Sequence, residues 1–246
     1  MRAPRSRSAR DARRRSHGQN FLASRALAER IVRGAGVRAS DLVLEIGAGS
    51  GVLTEALART GARVVAVEVD AVWAARLRRR FATVSNVEIL EADALRMPLP
   101  DRPFRVVASI PFAATTAVLR MLLDDPGTPL RRADLIVQWE VARKRAGRPR
   151  NLVSASWSPW FRLRLGGKLS REAFRPVPAV DAGLLVVERR TRPLLPPEAH
   201  GAFRVFVAGL FSGTLARDLE AEQWSALFEA YRAASGEATG RAPEHA

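Results

Sequence analysis

A chain of 246 residues with 47% hydrophobic content can bury a real core as one medium domain, and no apolar run approaches the roughly 18 residues of a membrane-spanning helix. It contains no cysteine, which excludes disulfides, thiolate nucleophiles and cysteine-based zinc sites and points to the cytoplasm. Forty Lys and Arg stand against 25 Asp and Glu, a net charge of +15 carried almost wholly by arginine; this field suits nucleic acid, and no basic amphipathic anchor argues for membrane.

Residues 1–16, MRAPRSRSARDARRRS, are arginine-dense, have little to bury and lack the apolar centre of a secretory signal, so they read as a disordered basic arm. A helical pattern runs from Leu22 to Ala35 with Ser24 as a cap. Strand and helix signals then alternate: strands at 41–47, 62–70, 86–93, 104–110 and 133–139, with helices at 51–60, through AVWAARLRRRF, and through TTAVLRMLLDD. Short β-branched strands alternating with helices at this spacing predict a parallel sheet covered on both faces, an α/β fold over residues 17–190. FRLRLGGKL and AGLLVVERR read as antiparallel strands closing that sheet. Prolines in TRPLLPPEAH (191–200) break the pattern, and FRVFVAGLF and AEQWSALFEAYRAA predict a small helical domain over 191–246.

EIGAGSG (45–51) ends a strand and opens a helix, and its alternating Gly47, Gly49 and Gly51 allow a tight turn and close backbone approach to a ligand. It is neither G-x-G-x-x-G nor a nucleoside-triphosphate loop, since it lacks the lysine and the following Ser or Thr. Three glycines are often only a tight turn; following Glu45, they suit S-adenosylmethionine, which needs no phosphate cradle. Glu68, roughly 20 residues on, is placed to accept ribose hydroxyls, and Asp93 to accept from an adenine amine. Either acid read alone is equally a helix cap or a solvated loop residue, and Asp70, a second acid beside Glu68, reads as the cap of the next helix. VVASIPFAATT (106–116) is a strand stopped by Pro111, read either as a plain strand ending or as a catalytic loop. His17, His200 and His245 are scattered without the paired spacing of metal ligands, so no metal is expected.

GQNFL (18–22), EIGAGSG, VEVD (67–70), EAD (91–93), SIPF (109–112) and FRPVPAVDAGLLVV (174–187) together resemble the ribosomal RNA adenine N6-methyltransferases. QWEVARKRAGRPRN and SASWSPWF are similar to the erythromycin-resistance branch, which modifies 23S rRNA. The resemblance implies a Rossmann-like S-adenosylmethionine-dependent methyltransferase with a small C-terminal helical domain. It implies cofactor contacts from Asn20, Leu22, Gly47, Gly49, Glu68, Asp93 and Ser109. It implies catalytic work by Ser109, Ile110, Phe112 and Phe174, the two aromatics holding the target adenine; both also read as ordinary core residues. The family turn begins with Asn where this chain has Ser109, a shorter acceptor that also donates. A monomer acting on protein-free or partly assembled 23S rRNA is expected, with macrolide, lincosamide and streptogramin B resistance as the outcome. Competing readings are a 16S rRNA adenine dimethyltransferase, a non-catalytic RNA-binding or transcription factor on the same fold, and a small-molecule methyltransferase, which the charge disfavours. Candidate RNA contacts are Arg13, Arg14, Arg15, Arg131, Arg132, Arg143, Lys144, Arg145, Arg162, Arg164 and Lys168. Arg76 to Arg80 read as a solvated helix face.

Overall fold

The computed structural model describes residues 20–149, 151–211 and 219–234. Its main sheet has seven strands in the order β4-β3-β2-β5-β6-β9-β7: β2 (Leu42–Ile46), β3 (Arg63–Glu68), β4 (Val87–Glu91), β5 (Phe104–Ser109), β6 (Leu130–Gln138), β7 (Phe161–Leu169) and β9 (Ala182–Arg189). The pairs β2–β3, β3–β4, β2–β5 and β5–β6 are parallel, while β9 runs antiparallel to both β6 and β7. The predicted parallel sheet with an antiparallel end is therefore the observed one. A two-stranded ladder joins β1 (Phe21–Leu22) to β8 (Phe174–Arg175), bringing together two segments far apart in the chain.

The sheet is buried on both sides. On β2, Leu42, Leu44 and Ile46 enter one hydrophobic cluster and Val43 the other, as period-two alternation demands. One face is covered by α1 (Arg25–Ala35), α2 (Val52–Ala58) and α3 (Ala71–Arg80). Ser24 caps α1, its hydroxyl accepting from the Leu27 N–H at 3.2 Å, and Asp70 caps α3 through Val72 and Trp73. The other face is covered by α4 (Thr115–Leu123), α5 (Trp139–Arg145), α6 (Leu152–Trp157), α7 (His200–Phe211) and α8 (Ala221–Ala234). Phe203, Val207, Trp224 and Phe228 of the last two helices share one core with Trp157, Trp160 and the sheet. Phe203 meets Trp160 and Phe228 edge-on, with centroids 5.9 and 5.3 Å away.

Three details depart from the predicted elements. The helix expected from Leu22 starts at Arg25, because Leu22 pairs with Phe174 in β1. The strand expected at 133–139 begins earlier, at Leu130, and stops at Gln138, where α5 opens although the Trp139 N–H still donates to the Asp181 carbonyl of the same register (2.9 Å). Helices α5 and α6 are too short, at seven and six residues, to display a helical period in the sequence.

Candidate active site

The predicted cofactor residues converge where β2, β3 and β4 end. Gly47, Gly49 and Gly51 have φ of 75°, 52° and 77°, left-handed backbone that a side chain would strain. The N–H groups of Gly47 and Ala48 donate to the Val67 carbonyl at 2.8 and 3.1 Å, folding the loop back over β3. Glu68, 3% exposed, accepts from the Gly49 N–H through Oε2 (2.7 Å) and from the Asp70 N–H through Oε1 (2.9 Å). One carboxylate thus shapes both turns. A Cβ on Gly49 would lie 2.5 Å from the Phe21 ring, which itself sits 4.7 Å from Trp73. Asp93 is exposed beside this edge, its carboxylate capping a short 3-10 turn through the Leu95 N–H at 3.0 Å.

Asn20, Leu22, Gly47 and Ser109 line one small cavity of about 30 Å³ together with Glu45. Sequence reasoning used Glu45 only to place the glycines, yet it is 1% exposed with Oε2 lacking any hydrogen-bond partner. Burial pushes its carboxyl up to about 8, the Glu68 charge adds to this, and contact with Thr54 opposes it. A carboxylate inside LVLEI, an otherwise apolar strand, was the available signal. Val69 and Leu95, one residue beyond Glu68 and two beyond Asp93, are large apolar side chains left exposed. They too were missed.

β5 ends at Ser109, one strand across. The Ile110 N–H still donates to the Ile136 carbonyl on β6 at 3.1 Å, and Pro111 then ends the ladder. Phe112 opens a 3-10 turn, half-buried, with its carbonyl accepting from the Thr115 hydroxyl at 3.1 Å. A Cβ on Gly47 would lie 3.6 Å from the Ser109 carbonyl oxygen, so the glycine loop and the SIPF turn meet. Phe174 is 2% exposed, paired through β8 with Leu22, in the same apolar cluster against which Phe112 packs.

The proposed RNA-binding cations divide into two groups. Arg131, Lys144 and Arg162 are exposed and make no ion pair among the described residues. Arg132 grips Asp134 with two hydrogen bonds (2.7 and 2.8 Å), reaches Glu188 at 2.9 Å and the Gly34 carbonyl at 3.0 Å. Arg145 bonds to Asn151, Arg164 to Glu188, Lys168 to Asp181 and Arg143 to Glu140. Burial lowers the Arg145 pKa and the nearby Arg120 charge lowers it further. Arg13, Arg14 and Arg15 lie outside the described residues. Arg78 pairs with Glu91, and Arg80 bonds to the Ser50 carbonyl and Glu55. No described helix is long and apolar enough to cross a membrane.

An open parallel sheet with a glycine turn and acids at its carboxyl edge, and no lysine-bearing phosphate cradle, defines an S-adenosylmethionine-dependent methyltransferase. More narrowly, the chain belongs to the ribosomal RNA adenine dimethylase family, whose profile matches residues 10–224. It is 42% identical over 200 residues to an rRNA adenine N-6-methyltransferase of Corynebacterium diphtheriae, covering 81% of this chain and 78% of that one. It is 36% identical to the mycinamicin-resistance protein MyrB of Micromonospora griseorubida, covering 87% of this chain and 78% of that protein. The crystal structure of the 23S rRNA methyltransferase ErmE superimposes with a TM-score of 0.77 at 30% identity, over 85% of this chain and 98% of that one.

The site suits the cofactor. The orphaned Glu45 Oε2 is a buried acceptor for a cationic group, and the glycine turn keeps side chains out of the approach. Exposed Val69 and Leu95 beside two carboxylates suit a flat base with a polar edge.

Proposed function

We propose that this protein transfers one or two methyl groups to N6 of a specific adenine in 23S rRNA. It does so as a cytoplasmic monomer, conferring resistance to macrolides, lincosamides and streptogramin B. The observation that carries this reading is the meeting of Asn20–Leu22, the glycine turn and SIPF around Gly47 and Ser109. The 23S target and the resistance follow the named relatives ErmE and MyrB.

Asn20, Leu22, Gly47, Gly49, Glu68, Asp93 and Ser109 would hold S-adenosylmethionine, with Glu45 beneath its cationic end. When bound, S-adenosylmethionine supplies a methyl on a sulfonium, an electrophile that carries its own leaving group. The protein's task is to position the second reactant. Adenine must leave its stack, at a cost of a few kcal/mol, and Phe112 offers the receiving aromatic face. Phe174, locked behind it, would hold that face in place. The Ser109 hydroxyl and the Ile110 carbonyl are acceptors for the exocyclic amine. Accepting from that amine makes its lone pair more available and stabilises the positive charge that develops on nitrogen. The nitrogen's surplus proton leaves to solvent, so no general base is assigned.

Protein-free 23S and 16S rRNA, incubated with the protein and labelled S-adenosylmethionine, test this directly. Label should map to one 23S adenine, and expression in a sensitive host should raise the inhibitory concentration of macrolides. Label confined to 16S rRNA, or RNA binding without transfer, would refute the proposal.

A further inference from the structure

The carboxyl edge of the sheet has an order. β4, β3 and β2 carry the cofactor-side residues, β5 carries the Ser109–Phe112 turn, and β6 and β9 come next. Over β6 and β9 lies a cavity of about 560 Å³, bounded by Gln138, Trp139 and Glu140 on one side and by Arg171, Val180 and Asp181 on the other. Its size is that of a small-molecule site. Ile136, which pairs with Ser109, is two residues before Gln138, so the cavity begins about 7 Å along β6 from the turn that would receive the adenine.

We infer that this cavity receives the unpaired nucleotide next to the target adenine in the RNA strand. The inference rests on the methylation reading above. A flipped base keeps covalent neighbours on both sides, and on the β2 side the turn already meets the glycine loop, where a Cβ on Gly47 would lie 3.6 Å from the Ser109 carbonyl oxygen. The open route for the chain therefore runs across β6.

The chemistry of the walls matches a nucleotide. Trp139 presents a half-buried indole for stacking. The residue is anchored at its backbone, whose N–H donates to the Asp181 carbonyl at 2.9 Å, and a Cβ on Gly183 would lie 3.0 Å from the ring. Among the described residues the Gln138 amide has no hydrogen-bond partner, and it offers both a donor and an acceptor to a base edge. Arg171, whose guanidinium reaches the Glu172 carboxylate at 3.3 Å and the Ala179 carbonyl at 3.5 Å, would turn to the connecting phosphate. Lys168 lies over the Trp139 ring, 6.0 Å from its centroid, with its charge balanced by Asp181 at 2.7 Å.

The test uses the shortest 23S fragment that the wild-type protein methylates, and matched fragments made abasic at the 5′ or 3′ neighbour of the target. Loss of one base–aromatic stack corresponds to roughly five- to 150-fold weaker binding. Trp139→Ala should raise the KM for intact RNA within that range and leave the Kd for S-adenosylmethionine unchanged. One abasic fragment should raise the wild-type KM similarly, and joining the two changes should add nothing further. An unchanged RNA KM in Trp139→Ala, or effects that multiply with both abasic fragments, would overturn the inference. If Trp139→Ala does not fold, Trp139→Phe decides: its KM should rise less than that of the abasic fragment, and equal or greater loss refutes the stack. If the wild type methylates no rRNA, the functional reading fails and the inference falls with it; an active wild type whose RNA KM is unmoved in Trp139→Ala refutes the inference alone.

Discussion

Glu45 lies inside β2 with one carboxylate oxygen unpartnered, and its pKa is pushed up to about 8 from an ordinary 4.5, by burial first and by the Glu68 charge after it. In the unfolded chain the same group ionises at the ordinary value. Between pH 4.5 and about 8 the folded protein therefore holds a proton that the unfolded chain has released. A folded-state pKa raised in this way contributes stability that is complete below the unfolded value and disappears as pH climbs through the folded one. At about 1.4 kcal/mol per pH unit, the loss between about pH 5 and about pH 8.5 is about 4 kcal/mol.

Glu45→Gln keeps the shape and abolishes the ionisation. Its unfolding free energy, relative to wild type, should therefore rise by about 4 kcal/mol across that interval, or roughly 8–16 °C in relative Tm for a chain of this size. Urea unfolding of both proteins at matched pH values measures this, provided the m-values agree. Stability curves that stay parallel from acid to alkaline pH would refute the reasoning. A cation bound beside Glu45 favours its ionised form. S-adenosylmethionine affinity should accordingly rise toward pH 8, by at most tenfold per pH unit, and lose this rise in Glu45→Gln.

Phe112→Ala should lower kcat/KM for RNA at least tenfold, with Phe112→Tyr close to wild type, because the aromatic face is what the flipped base stacks on; steady-state methyl transfer is the measurement. Ser109→Asn, which supplies the longer acceptor usual in the family, should preserve or raise turnover, and a hundredfold fall would show that the amide does not fit beside Gly47. Arg131→Ala should lower the slope of log affinity against log salt by about one without moving Tm. Arg132→Ala should do the reverse: it strands Asp134, 1% exposed, and costs about 3 kcal/mol or more while the salt slope stays put.

The contrast between those neighbouring arginines shows where the sequence stops being informative. Side chains alternate along β6, so Arg131 faces water and Arg132 faces a carboxylate on its own strand and another on β9, 56 residues away. Asp134, two residues on, is the local difference between them, but its burial and the second carboxylate are not visible locally. The parallel strands were legible because their β-branched runs are long and regular, and Asp70 was legible as a cap because capping is a local event. Helix α5 was not legible. Its first residue packs where Gly183, distant in sequence, has no side chain, and its seven residues are too few to show a period.

The same distinction applies to the site. The glycine turn could be read from three residues, but its neighbour Glu45 could not, since a carboxylate in an apolar run shows its cost only once the strand is buried on both faces. Phe174 shows the opposite case. The resemblance implies that it helps hold the adenine, and its buried side chain, paired with Leu22 in the ladder, belongs to the core against which Phe112 packs. A residue in that position can act on the base through the placement of Phe112. The β1–β8 ladder explains why such distant motifs serve one site: Phe21 covers the glycine turn, and Phe174 and Arg175 hold that cover in register. Breaking the ladder would uncover Gly49 and loosen the support of Phe112 together, so cofactor and RNA affinity should fail as a pair.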